Sequence, residues 1–143
     1  MKTIGQILRN GLGMVIKVKP TESVLHALEL MAQHDVGAVL VMEGDSLLGI
    51  LTERDYARKV ALKSRVSETT CVSEIMTSRV FCATPYMTID RAMTLASERN
   101  VRHLPVIDIR NDVIGVISTR DLIREKLAEQ CFVIEQLEQY ITA

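Results

Sequence analysis

The sequence predicts a mixed α/β fold made of two tandem repeats, each a strand, a helix, two further strands and a second helix. Three observations carry this reading. The stretch Leu48-Gly49-Ile50-Leu51-Thr52-Glu53-Arg54-Asp55 returns as Ile114-Gly115-Val116-Ile117-Ser118-Thr119-Arg120-Asp121. A helical stripe at i, i+3, i+4, i+7 occurs at Val24, Ala27, Leu28 and Met31, and again at Ile89, Ala92, Met93 and Ala96. The register also holds between copies: Pro20 and Pro85, Ala27 and Ala92, Val36 and Val101 are each 65 apart, then Gly49 and Gly115, Asp55 and Asp121 are 66 apart. One residue has been inserted in the hairpin turn, where a repeat tolerates it. The period exceeds the roughly 20–50 residues of solenoid repeats, and two copies suit a closed pair.

Thr3-Ile4-Gly5-Gln6-Ile7-Leu8 is a short apolar turn, followed by a glycine-containing loop at residues 9–13. Residues 14–18 read as a strand closed by Pro20, and Thr21 or Ser23 can cap the helix that runs to about His34. Residues 36–42 form a continuous apolar run of strand length, which implies burial on both faces. Residues 43–46 are a turn and 47–51 the returning strand; from Asp55 a helix continues through Tyr56, Val60 and Ala61. After a polar connector at 63–70 the pattern restarts: Val72-Ser73-Glu74-Ile75-Met76 echoes the opening and residues 79–83 are the strand before Thr84-Pro85. Residues 101–107 then give the buried strand, 108–112 the turn and 113–117 its partner. The expected division is residues 1–68 for the first repeat, 69–127 for the second and 128–143 for a C-terminal helical extension.

That last segment keeps apolar residues at helical intervals: Ile123, Leu127, Cys131, Ile134, Leu137 and Ile141. Two readings stand: a helix for a dimer or partner, or one packed on its own core.

Each repeated corner is a strand running into a helix N-terminus. A hydroxyl there accepts a hydrogen bond from a free backbone N–H of the first turn, and an acid three residues on suits the positive end of the helix dipole. The same N–H groups make the corner receptive to anions, and the glycine in the strand permits close approach by another backbone or a ligand. Taken alone, either of Thr52/Asp55 and Ser118/Asp121 is more readily explained as a capping pair; their duplication favours a site.

Hydrophobic residues make up 48% of the 143 and charged residues 24%, so the chain is globular. A net charge of −1 removes the bulk attraction that nucleic-acid binding needs, and 3% aromatics leave no stacking platform. Cys71, Cys82 and Cys131 show no CxxC spacing, so a structural metal and a disulfide framework are not expected. With no leader-like start and no apolar run near 18 residues, a soluble, cytoplasmic protein without a membrane association is expected. No nucleophile–base spacing and no phosphate loop appear, so no catalytic residues are expected.

The doubled unit ending in hydrophobic-Gly-hydrophobic-hydrophobic-[Thr/Ser]-x-x-Asp, with Glu74-Ile75-Met76 and His103-Leu104-Pro105-Val106-Ile107-Asp108, resembles the CBS domain pair, or Bateman module, over nearly the whole chain. The resemblance implies two repeats packed sheet to sheet about a pseudo-twofold axis. It also implies two clefts that take an adenosine-containing ligand: AMP, ADP, ATP, S-adenosylmethionine or an NAD-type dinucleotide. On this sequence it points to Thr52 and Asp55 for one cleft and Ser118 and Asp121 for the other, contacting ribose or phosphate. Val36, Gly37 and Ala38, and Val101, Arg102 and His103, would line the base or phosphate ends. Arg54, Arg120, Arg102 and His103 are candidates for pairing with phosphates. Because Gly37-Ala38-Val39-Leu40 has no basic residue where the second repeat has Arg102-His103-Leu104-Pro105, the second cleft is expected to be the better phosphate site.

The function expected is a stand-alone regulatory module that signals to a partner protein, of unknown identity, through conformational change. The alternative is a non-catalytic interaction protein acting through a dimer face or the C-terminal helix. A homodimer forming a four-repeat disc is expected, because helix faces such as Tyr56/Val60 and Leu122/Ile123 would otherwise need cover.

Overall fold

The structure is a computed structural model that describes residues 2–142, the side chain of Thr142 excepted. Met1 and Ala143, the outer ends of the expected divisions, lie outside the described residues. In order, the elements are α1 (Ile4–Arg9), β1 (Lys17–Val18), α2 (Val24–His34), β2 (Ala38–Glu43), β3 (Ser46–Thr52), α3 (Glu53–Tyr56), α4 (Val72–Ile75), α5 (Ile89–Arg99), β4 (His103–Ile107), β5 (Val113–Ser118) and α6 (Thr119–Thr142). A π-helical segment, Ala57–Ala61, continues α3, so the helix expected to run through Ala61 changes its winding part-way.

The chain divides into two compact units, but not at the repeat boundary. One unit is Val15–Val80; the other joins the residues before Val15 to those from Phe81 onward. The compact units therefore do not follow the repeat division expected between residues 68 and 69: each opening segment packs with the other repeat. Burial is the reason. Ile4 and Ile7 on α1 are fully buried with Ile89, Leu104 and Ile117, whereas Val72 and Ile75 on α4 are buried with Val24, Val41 and Leu51. An apolar turn this short has no core of its own and takes its place where apolar surface is available.

In the unit Val15–Val80, β1 pairs parallel with β2 and β2 antiparallel with β3. Residues 38–42 of β2 are all buried, as the continuous apolar run requires. Val24, Ala27 and Met31 form the buried stripe of α2, which Ser23 caps by accepting from His26 N at 3.1 Å. The free edge of β3 is closed by the segment after α4: Ile50 N donates to Thr77 O at 3.0 Å and Thr77 N to Ile50 O at 2.9 Å.

The other unit repeats this plan with one loss. β4 and β5 pair antiparallel and share with β2/β3 a register shift at the equivalent place, Val106/Ile107 against Val41/Met42. The strand expected at 79–83 is reduced to one bridge, Ala83 with Val106. Pro105 explains the loss. In the first repeat the equivalent Leu40 donates its N–H to Ile16 O at 2.8 Å, and proline has no N–H with which to extend the ladder. On the opposite edge, Val116 N donates to Gly13 O at 3.0 Å.

The strand glycines admit these edge segments. A Cβ on Gly49 would stand 2.8 Å from Thr77 O, and one on Gly115 would stand 2.7 Å from a Leu8 methyl and 3.1 Å from Gly13 O. At Gly49 the closest atoms are a backbone carbonyl and the Met76 sulfur, both at 2.8 Å, whereas at Gly115 the closest is the Leu8 side chain. A backbone carbonyl yields less readily than the tip of a leucine. Gly49→Ala is therefore expected to cost about 2 kcal/mol, more than the roughly 1 kcal/mol of Gly115→Ala, read as the shift in urea midpoint at constant m-value.

Two expectations about exposed helix faces are corrected here. Val60 and Leu122 are buried within their own units, at 1% and 0% exposure, and need no cover from outside. Ile123 remains exposed.

Candidate functional site

Within each unit the structure brings together the two sets of residues singled out from sequence. Ala38 is the strand partner of Thr52, and His103 that of Ser118. Glu53 N donates to Gly37 O at 3.1 Å, and Thr119 N to Arg102 O at 2.9 Å. Each hydroxyl corner therefore lies beside the start of the buried strand, with Val36, Gly37 and Ala38 at one and Val101, Arg102 and His103 at the other. Register places them there: the buried strand and the strand entering the helix are antiparallel neighbours, so the start of one meets the end of the other.

The two corners share a capping geometry. Thr52 Oγ1 accepts from Asp55 N at 3.2 Å while Asp55 Oδ2 accepts from Thr52 N at 3.1 Å. Ser118 Oγ accepts from Asp121 N at 3.1 Å and Asp121 Oδ2 from Ser118 N at 3.0 Å. A carboxylate and a hydroxyl thus satisfy two of the N–H groups left free by the helix start.

Beyond this the corners diverge. Asp55 is 7% exposed, and its carboxylate also accepts from Thr52 Oγ1 at 3.1 Å and Thr77 Oγ1 at 2.9 Å. Lys59 Nζ stands 3.0 Å from Asp55 Oδ1 and donates to Ile75 O at 3.0 Å. Asp55 is thus the node that ties α3 to the segment that closes the edge of β3. Sequence reasoning missed both Lys59 and Thr77. The i, i+4 spacing of Asp55 and Lys59 was a usable signal; Thr77 carried none, because its approach depends on where α4 packs.

At the second corner Glu125 takes the place of Lys59, 66 positions on, and it binds Lys2 Nζ at 3.2 Å. Among the described residues no cation pairs with Asp121, and its Oδ1 accepts no hydrogen bond. Asp121 is half-buried, with Arg102 and Arg120 exposed nearby in sequence and His103 half-buried. A carboxylate oxygen with open lone pairs can take the hydroxyl pair of a ribose, and a guanidinium can pair with phosphate. At the first corner Arg54 is half-buried and has a partner.

Among the described residues no group of three or more His, Cys, Asp and Glu is placed to hold a metal, and no helix is long and apolar enough to cross a membrane. Burial pushes the Cys82 thiol above its ordinary range, which keeps it protonated and slow as a nucleophile.

The model of the CBS domain matches residues 13–62 and 72–128. The chain belongs to the CBS domain family. Among its relatives, the CBS domain-containing protein CBSX3, mitochondrial, of Arabidopsis thaliana is 38% identical over 125 residues, which is 84% of this chain and 60% of that protein. The chain therefore spans less than two thirds of that relative's length. The CBS domain-containing protein YhcV of Bacillus subtilis is 33% identical over 116 residues, 81% of each. Among solved structures, a CBS-domain protein from Burkholderia ambifaria superposes with a TM-score of 0.85 at 42% identity, covering 90% of this chain and 96% of that one. A CBS domain pair solved in complex with 5-methylthioadenosine and S-adenosyl-L-methionine has a TM-score of 0.78 at 23% identity, covering 90% and 98% of the two chains, and shares the fold.

The corner geometry separates the two aspartates in a stability measurement. Asp55→Ala strips a buried network of three hydrogen bonds and an ion pair and is expected to cost about 3 kcal/mol, whereas Asp121→Ala loses a helix cap worth about 1 kcal/mol. Thermal unfolding followed by circular dichroism reads both; equal losses would show that Asp55 is not the more committed group.

Proposed function

We propose that this CBS-domain chain is a regulatory, non-catalytic module that takes an adenosine-containing ligand at the Ser118–Asp121 corner and passes the resulting change to a partner protein. The observation that carries the reading is the asymmetry of the two carboxylates. Asp55 is saturated by Thr52, Thr77 and Lys59, while Asp121 has one oxygen held by Ser118 and the other open. In this reading Asp121 and Ser118 hold the ribose hydroxyls, Val101 and the backbone beside it face the base, and Arg102, His103 and Arg120 face phosphate. Thr52, Arg54 and Asp55, with Val36, Gly37 and Ala38, form a second and weaker station whose carboxylate serves structure first. That the same fold accommodates S-adenosylmethionine and methylthioadenosine in another protein supports the ligand class. The module works as a homodimer, and a ligand acts through its different affinities for two states of that assembly.

Calorimetric titration with AMP, ADP, ATP, S-adenosylmethionine and NAD tests the reading. One of them is expected to bind, and at 100 times its dissociation constant to add about 2.7 kcal/mol of stability. Asp121→Ala is expected to abolish the heat of binding, and Lys59→Met, which breaks the Asp55–Lys59 ion pair, to leave it. Failure of every ligand at millimolar concentration, or full binding by Asp121→Ala, overturns it. The exposed apolar surface of α6 favours a second role, in assembly.

A further inference from the structure

Two replacements outside the repeated motif separate the corners. The opening segments are built alike: Gln6 and Glu74 each accept from the backbone N–H three residues before, of Thr3 and Cys71, and Ile4/Ile7 and Val72/Ile75 are buried. Each then lays a flexible side chain against a strand glycine, Leu8 beside Gly115 and Met76 beside Gly49. The next backbone contact is also shared. Ile50 N donates to Thr77 O at 3.0 Å, and Val116 N, 66 positions on, to Gly13 O at 3.0 Å. Gly13 therefore stands where Thr77 stands, although Thr77 directly follows Met76 while the four residues Arg9 to Leu12 separate Leu8 from Gly13.

The first replacement removes a hydroxyl. Thr77 Oγ1 donates to Asp55 Oδ1 at 2.9 Å, and a glycine has no side chain with which to do the same. The fold also bars one from this place: Gly13 has a φ of +82°, and a Cβ there would run into a Leu8 methyl and stand 3.1 Å from Val116 O. The second replacement removes a cation. Lys59 Nζ reaches Asp55 Oδ1 at 3.0 Å from one turn further along the helix; at the same spacing from Asp121 stands Glu125, which pairs with Lys2 Nζ at 3.2 Å. Both donors of the first corner thus converge on the oxygen that the cap does not use, since the cap holds Oδ2. A ribose hydroxyl would have to displace them, and each hydrogen bond to a charged group is strong enough to set affinity back about tenfold.

We propose, building on the ligand reading above, that positions 13 and 125 and their counterparts 77 and 59 decide which corner binds. Gly13 and Glu125 leave Asp121 to the hydroxyls of an adenosine-containing ligand, Thr77 and Lys59 commit Asp55 to the fold, and ligand fills one corner per chain well before the other.

The test transplants these residues in the full chain. Calorimetric titration of the wild type with AMP, ADP, ATP, S-adenosylmethionine and NAD selects the ligand that binds, and one per chain is expected. Glu125→Lys sets an ammonium one turn from Asp121, as Lys59 is from Asp55, and is expected to raise the dissociation constant about tenfold. Glu125→Gln loses the Lys2 pair without adding a cation and is expected to change it less than about twofold. Lys59→Met alone leaves Thr77 on Asp55 and is expected to keep the count at one; with Thr77→Val added, the count is expected to rise to two. A measurement without ligand covers a double variant too unstable to fold. Relative to Glu125→Gln, Glu125→Lys is expected to raise the unfolding temperature by about 3 °C with Asp121 present and not at all with Asp121→Ala. Equal temperature shifts in the two backgrounds, unchanged affinity in Glu125→Lys, two ligands on the wild type, or a folded double variant that still binds one, each overturns the assignment of these positions. Loss of wild-type binding on Asp121→Ala keeps the ligand reading in all of those cases. A wild type that binds none of the ligands overturns the reading and the assignment together.

Discussion

Both units depend on the same constraint: the outer edge of a glycine-bearing strand is closed by backbone from a segment that also brings two buried aliphatic residues. In one unit Thr77 hydrogen-bonds both ways with Ile50, next to Val72 and Ile75; in the other Gly13 accepts from Val116, next to Ile4 and Ile7. An unpaired strand edge is both a loss of hydrogen bonding and an invitation to aggregate, so its closure stabilises the unit and isolates it. Units of this size have little surplus core, and four buried aliphatic side chains on two short turns are a large share of it. The glycines follow from this: any side chain there would stand where the closing segment must pass.

The closure also decides the chemistry of the first corner. Because the segment that follows α4 runs along β3, Thr77 reaches Asp55, and Lys59 bridges Asp55 to Ile75. A carboxylate buried at a helix start with that many donors holds three elements in register. The second corner keeps the same cap without the added donors, since Glu125 stands where the lysine would be. Duplication preserved the local motif and let its surroundings drift, leaving one corner as a latch and the other with an open acceptor. That difference, more than the motif itself, separates a structural aspartate from a candidate ligand group.

A comparable split runs along α6. Its first half is an ordinary packed helix, tied down by Leu122 and by ion pairs to Asp90 and Lys2. Its second half, Gln130 to Ile141, is exposed throughout.

Much was legible in the sequence because it depends on residues a few positions apart. Both long helices occur where the stripes placed them, Val24–His34 and Ile89–Arg99, each closed by a left-handed residue, Asp35 and Asn100. The hairpins and the capped corners followed from alternation, turn residues and hydroxyl-x-x-acid spacing, all of which act within one turn or one strand pair. The shortening of the strand at 79–83 is also legible in the sequence, since Pro105 on the neighbouring strand has no N–H with which to pair it. What only the tertiary structure decided is which opening segment serves which repeat, and hence that Asp55 gains Thr77 and Lys59 as partners. The two openings are alike in sequence, Ile4 and Ile7 against Val72 and Ile75, so local propensity cannot tell where each docks. The choice is made by burial across the whole chain, and Thr77 meets Asp55 only after that choice is made.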